Sequence, residues 1–119
     1  MTNEKSISLY HGSGGLASQN LIGDLFLKYL TSPRLRDLED CAVLGEHDGR
    51  IAFTTDSYVV DPLFFPGGDI GALAVHGTIN DLCMRGARPI ALSLALIIEE
   101  GFPLADLERV IASVGRCSE

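Results

Sequence analysis

Three aspartates, an asparagine and a run of glycines are the residues of this chain whose types and spacing could do chemistry. Asp40, Asp56 and Asp81 offer hard oxygen donors, and Asn80 stands beside the last of them. Such carboxylates, if they converge, suit a hard, oxygen-seeking divalent cation. Gly12, Ser13, Gly14 and Gly15 precede a predicted helix, and a loop of that make-up can aim backbone N–H groups at an anion. The loop matches no P-loop spacing and lacks the Lys-Ser/Thr ending, so a flexible lead-in is its plainer reading. Asp81 falls on an apolar stripe with Ile70, Ala74, Gly77 and Met84, where a buried carboxylate requires a partner. Arg85, four residues on, is the plainer partner; a divalent cation shared with the preceding acidic turns is the other. Asp40 and Asp56 are likewise either turn-capping residues or two ligands emerging at one end of a hairpin.

The remaining reactive side chains carry less. Cys41, Cys83 and Cys117 form no CxxC pair and no zinc spacing, and an odd count suits reduced thiols in the cytosol. Cys41 and Cys83 are expected buried, Cys117 exposed. His47 belongs to a solvated turn, and His76 reads as a core histidine within an apolar helix. A net charge of −7 argues against a nucleic-acid surface, which needs a basic patch. The first residues lack the apolar run of a signal peptide, and the apolar run Ile90 to Ile98 is too short to span a bilayer. A soluble, cytoplasmic protein is the expectation, with no membrane partner.

The elements that must position these residues follow in chain order. Ser6 to Tyr10 reads as a short strand or extended arm. An amphipathic helix is predicted from about Ser18, its N-cap, to Thr31, with Leu21, Ile22, Leu25, Phe26 and Tyr29 at helical spacing. Cys41–Leu44 and Arg50–Thr54 read as a hairpin turning at Asp48-Gly49. Pro62 to Gly68 is an ordered turn or loop. A helix from about Asp69 to Met84 is apolar nearly all round and is predicted to be buried. Ile90 to Ile98 alternates large and small residues as a buried strand does. A last helix, about Pro103 to Val114, shows Leu104, Leu107, Ile111 and Val114 on one face and ends at Gly115. With 119 residues this is a single domain, α+β in class, with a mixed or antiparallel sheet carrying helices on one face.

Beyond spacing, several runs occur together and in order: His11 to Gly15, Glu39 to Leu44, Phe53-Thr54-Thr55-Asp56-Ser57-Tyr58-Val59-Val60-Asp61 on to Gly71, Asn80-Asp81-Leu82, and Gly86-Ala87. Together they resemble the N-terminal domain of the hydrogenase maturation family HypE. That family lies in the PurM-like superfamily of aminoimidazole ribonucleotide synthetase, thiamine-monophosphate kinase and selenophosphate synthetase. The run from Asp56 to Gly68 is what separates HypE from these relatives. The resemblance implies a homodimer whose N-terminal sheets pair across the interface, and an ATP-dependent dehydration of a cysteine-bound carbamoyl group to a thiocyanate. It implies that Asp40, Asp56 and Asp81 hold Mg2+ on the ATP phosphates, with Asn80 beside them. It implies too that Gly12 to Gly15 form the mobile loop over the nucleotide. The partners it implies are the carbamoyltransferase HypF and the HypC–HypD iron scaffold. The family's proteins are longer, with a second domain and a C-terminal cysteine that carries the carbamoyl group. Neither has a counterpart here, so no catalytic nucleophile is expected in this chain. The alternatives are a thiamine-monophosphate kinase-like enzyme and a non-catalytic dimerisation or binding module.

Overall fold

The last helix holds the fold together. Residues 5–119 are described by the computed structural model, and the helix labelled α4 covers Leu104–Cys117. Leu107, Val110, Ile111 and Val114 recur at helical spacing along it, and all four are buried. Ile111 is wholly inaccessible and clusters with Ile7 and Leu107, with Leu21, Leu25, Phe26 and Tyr29 packed against them. The helix continues through Gly115 rather than ending there. Gly115 is buried where α4 crosses the first helical segment, and a Cβ on it would lie 2.5 Å from the carbonyl oxygen of Tyr29. This glycine permits a close crossing and does not cap a helix end.

That first segment is α1, Leu16–Leu21, followed by a wider π turn at Ile22–Phe26 and a short α2, Leu27–Tyr29. Its N-cap is Gly15, three residues earlier than predicted. Ser18 lies inside the first turn instead, donating its hydroxyl to the His11 carbonyl at 2.7 Å. Ser6 to Ser8 form the extended arm: Ile7 donates to the Phe102 carbonyl at 2.8 Å and accepts from Gly101 at 2.7 Å. A 3-10 turn, Leu9–Gly12, then leads into the glycine loop.

Phe64–Phe65 (β1) and Gly68–Asp69 (β2) pair antiparallel, Phe64 opposite Asp69. Pro66-Gly67 makes the turn between them, and Gly67 has the positive φ of 95° that a Pro-Gly turn requires at its second residue. Asp69 closes β2 and caps helix α3, Ile70–Met84, its carboxylate accepting from the Ala72 N–H at 3.0 Å. Helix α3 meets α4 at Gly71, where a Cβ would stand 2.6 Å from the Val110 carbonyl oxygen. Both neighbours of α4 thus approach it through a glycine.

Two expectations need correction. Helix α3 is not buried all round: Gly71 and Val75 are, whereas His76, Asp81, Cys83 and Met84 are exposed. A helix with apolar residues on every side needs cover on every side, and this chain supplies it on one. Among the described residues, the mixed sheet is also reduced to the two short strands β1 and β2. Cys41–Leu44, Arg50–Thr54 and Ile90–Ile98 adopt no regular strand, although Gly49 has the positive φ of a turn. A two-stranded hairpin is marginal in water unless a third strand or a packed face supports it. Here Val43 is 83% and Phe53 84% exposed, so nothing packs on that face. The Cα radius of gyration, 15.4 Å, exceeds the roughly 13–14 Å of a compact domain of this length, so apolar surface stays spread outside the core.

Candidate functional site

The segment Thr54-Thr55-Asp56 lies against α3 and encloses a small cleft. Its wall on the helix is Thr78 and Leu82, one turn apart, and Ala91, Leu92 and Ser93 close another side. The cavity measures about 100 Å3. At about 30 Å3 per water it has room for a few waters, a hydrated cation or one phosphate group, but not a nucleotide. Among the residues lining it, Asp56 has the one carboxylate and Thr54, Thr55, Thr78 and Ser93 have hydroxyls, while Ala52, Phe53 and Leu82 are apolar. An oxygen-only donor set with a single carboxylate is hard, and it fits Mg2+ held partly by phosphate.

The other nominated residues stand apart from this cleft. Asn80 and Asp81 follow Thr78 on α3 but are exposed and do not line it, and Asp40 is exposed in the irregular stretch. Among the described residues, no three His, Cys, Asp or Glu side chains gather as a metal site. Asp81 forms no ion pair with Arg85; its exposure to water removes the need for one. Gly12, Ser13, Gly14 and Gly15 form an exposed loop that is bonded to itself. Gly14 donates its N–H to Ser18 Oγ at 3.0 Å, and Ser13 Oγ donates to the Tyr10 carbonyl at 2.8 Å. In this arrangement the Gly14 N–H is occupied and not offered to an anion.

No sequence pattern by itself assigns these hydroxyl residues a role. Thr54 and Thr55 adjoin Asp56 directly, which is the signal that could have found them. Thr78 precedes Asp81 by three residues, one helical turn. Ser93 carries no local signal, because its place depends on how the chain returns past α3.

A larger cavity, about 420 Å3, opens between β1 and α4 and is lined by Tyr29, Phe64, Asp69, Glu108, Arg109 and Arg116. Most of its charges are already matched. Glu108 Oε1 accepts from Lys28 Nζ and from the Tyr29 hydroxyl, both at 2.6 Å. The bond from Lys28, with that from Tyr29, holds the Glu108 carboxyl below its ordinary range, and Glu108 in turn raises Lys28. Arg109 pairs with Asp106 at 3.1 Å and lies 3.6 Å above the Phe64 ring. The Glu108 bonds fasten α2 to α4 and the Arg109–Phe64 contact fastens the hairpin to it, so the smaller cleft is the better candidate. The cysteines invert the expectation: Cys41 and Cys83 are exposed, and Cys117 is half-buried on the last turn of α4. Cys83 lies on the uncovered part of α3. Among the described residues, no helix is long and apolar enough to cross a membrane.

The chain is similar to known proteins. The family model for the AIR synthase related protein, N-terminal domain, matches residues 38–119. Carbamoyl dehydratase HypE of Rhizobium leguminosarum bv. viciae is 54% identical over 94% of this chain and 32% of its own length. The HypE of Escherichia coli K12 is 50% identical over 92% of this chain and 34% of its own. A crystal structure of hydrogenase maturation protein HypE in complex with ATP matches with a TM-score of 0.87 and 57% identity. That match covers 91% of this chain and 32% of the solved one. The chain therefore spans about a third of the length of these relatives. It has the PurM-like N-terminal fold and belongs to the AIR synthase related family through that family's N-terminal domain, as a homologue of HypE.

Proposed function

We propose that this chain supplies the magnesium- and nucleotide-binding part of a HypE-type carbamoyl dehydratase. The observation that carries the reading is the Asp56 cleft, a cavity of phosphate size lined by one carboxylate residue, four hydroxyl residues and apolar neighbours, on a chain that matches an ATP-bound relative. Asp56 and the hydroxyls of Thr54, Thr55 and Thr78 would hold Mg2+ and one phosphate. Asn80 and Asp81, exposed on the same helix, and Asp40 complete the shell when a second copy orders the irregular strands. The Gly12–Gly15 loop would exchange its bond to Ser18 for phosphate oxygens. When bound, ATP would supply the phosphoryl group that turns the carbamoyl oxygen of a cysteine thiocarbamate into a leaving group, the oxygen departing as phosphate alongside ADP to leave a thiocyanate. The residues of this chain position and neutralise phosphate, which is most of the work in phosphoryl transfer. The thiol that carries the carbamoyl group is not assigned to any of its cysteines.

The same reading makes the protein a cytoplasmic homodimer in which the stretches around Val43, Phe53 and Leu94 pair as a shared sheet. Its partners are a HypF-type carbamoyltransferase and a HypC–HypD iron scaffold. Titration calorimetry of the chain with ATP, with and without Mg2+, tests the site. Asp56→Asn should weaken Mg-ATP binding at least about tenfold, the worth of one charge-assisted contact. Affinity for metal-free ATP should not fall. Equal binding by wild type and variant in Mg2+ would refute the assignment. A dimer that binds no nucleotide would favour the non-catalytic module, a reading supported by the exposed apolar stretches.

A further inference from the structure

We propose that Tyr58 is a positioning residue for this site, its hydroxyl end seated on bare α3 backbone at Gly77 so as to set where Asp56 stands. The proposal rests on the magnesium–nucleotide reading above. Tyr58 is half-buried, while its neighbours Ser57 and Val59 are exposed. A Cβ on Gly77 would overlap the Tyr58 hydroxyl oxygen and lie 2.8 and 2.9 Å from ring atoms Cζ and Cε1. The same hydroxyl is 3.5 Å from Thr78 Oγ1, and Thr78 lines the Asp56 cleft. A glycine inside a helix weakens it, and position 77 carries one where the tyrosine ring needs the room. Among the described residues, no loop backbone hydrogen bond joins Thr54–Val60 to α3, so this side-chain seat and the cleft contacts hold the segment. Asp56 is two residues from Tyr58, too near for the chain between them to absorb a displacement.

The consequence is specific to one kind of metal. Mg2+ demands near-ideal octahedral geometry at about 2.0–2.1 Å, whereas Ca2+ accepts oxygens at about 2.3–2.6 Å in flexible arrangements. A shift of Asp56 by a few tenths of an ångström therefore costs Mg2+ more than Ca2+. The seat of Tyr58 is a device for magnesium preference, beyond its part in packing.

The test is calorimetry of the full chain with Mg-ATP and Ca-ATP. Gly77→Ala forces the ring outward and should weaken Mg-ATP binding about tenfold and Ca-ATP less than about threefold, following the two coordination ranges. Tyr58→Phe, which removes the overlapping oxygen, should recover part of that loss in the Gly77→Ala background. Tyr58→Ala leaves α3 untouched, serves if Gly77→Ala folds poorly, and should lower the same magnesium preference. Equal weakening of both metals, or no weakening, overturns the positioning role while leaving the site reading intact. Wild type that binds ATP no better with Mg2+ overturns the site reading and this inference with it.

Discussion

Gly115 passes so close to Tyr29 that a Cβ would come within 2.5 Å of the Tyr29 carbonyl oxygen. The atom in the way is backbone, which cannot swing aside as a long side chain can. Two effects compete in Gly115→Ala. Helix propensity gains about 1 kcal/mol, while overpacking against fixed atoms costs about 1–3 kcal/mol or more. The clash should win because α2 must move bodily off α4. Urea unfolding should show a net loss of up to roughly 2 kcal/mol, by the same two magnitudes.

The Lys28–Glu108 pair, reinforced by Tyr29, gives a pH signature. Glu108 is lowered from 4.5, so its contribution is complete above that value and fades as pH falls through the lowered one. Lys28 is raised from 10.5, so its contribution is complete below that value and fades as pH climbs through the raised one. Glu108→Gln should flatten the acid limb of a melting-temperature profile measured over about pH 2–6. Both side chains are substantially exposed, so high salt should flatten it too. An unaltered acid limb in the variant would mean that other carboxylates set it.

Self-association should respond to residues that contribute nothing to the single chain's core. Val43 is 83% exposed and Ile97 entirely so. Changing both to Ser should leave the melting temperature of dilute protein nearly unmoved. If a second copy covers them, the dimer dissociation constant should rise at least about tenfold, from the usual worth of burying one or two aliphatic side chains. Sedimentation equilibrium reads both forms.

Cys117 should not acquire a cyano group. It sits on the last turn of α4, half-buried, two residues after Gly115 is locked against Tyr29. A thiol so placed cannot travel to the Asp56 cleft. Mass spectrometry after incubation with ATP, carbamoyl phosphate and the carbamoyltransferase should find the chain unmodified. A thiocyanate on Cys117 would require α4 to unwind at its end.

What was legible in the sequence was local. The apolar spacing of Leu107, Ile111 and Val114 marks α4, because helical periodicity alone places them on one face. Asp69 before an apolar run marks the start of α3, because the first N–H groups of a helix need an acceptor. The motif runs from His11 to Ala87 carry the family. Asp56 stands out in the sequence as a candidate metal ligand by its type and its place after a predicted strand; its position on a cleft beside α3 is a finding of the structure.

Tertiary structure decided which faces are covered. The pattern of α3 says that it is apolar all round, yet not that only the Gly71–Val75 side meets α4; hence the exposure of His76, Asp81 and Cys83 escaped the sequence. The stretches Cys41–Leu44, Arg50–Thr54 and Ile90–Ile98 read as strands one by one, yet in the structure none of them forms a ladder. Strand structure is a property of at least two segments, and sequence pattern describes one. The roles of Gly77, Gly71 and Gly115 are likewise invisible locally, since each glycine is explained by an atom from elsewhere in the chain. A helix carries its hydrogen bonds within itself and can be read from its own residues; close crossings, strand pairing and cleft walls depend on what arrives from a distance.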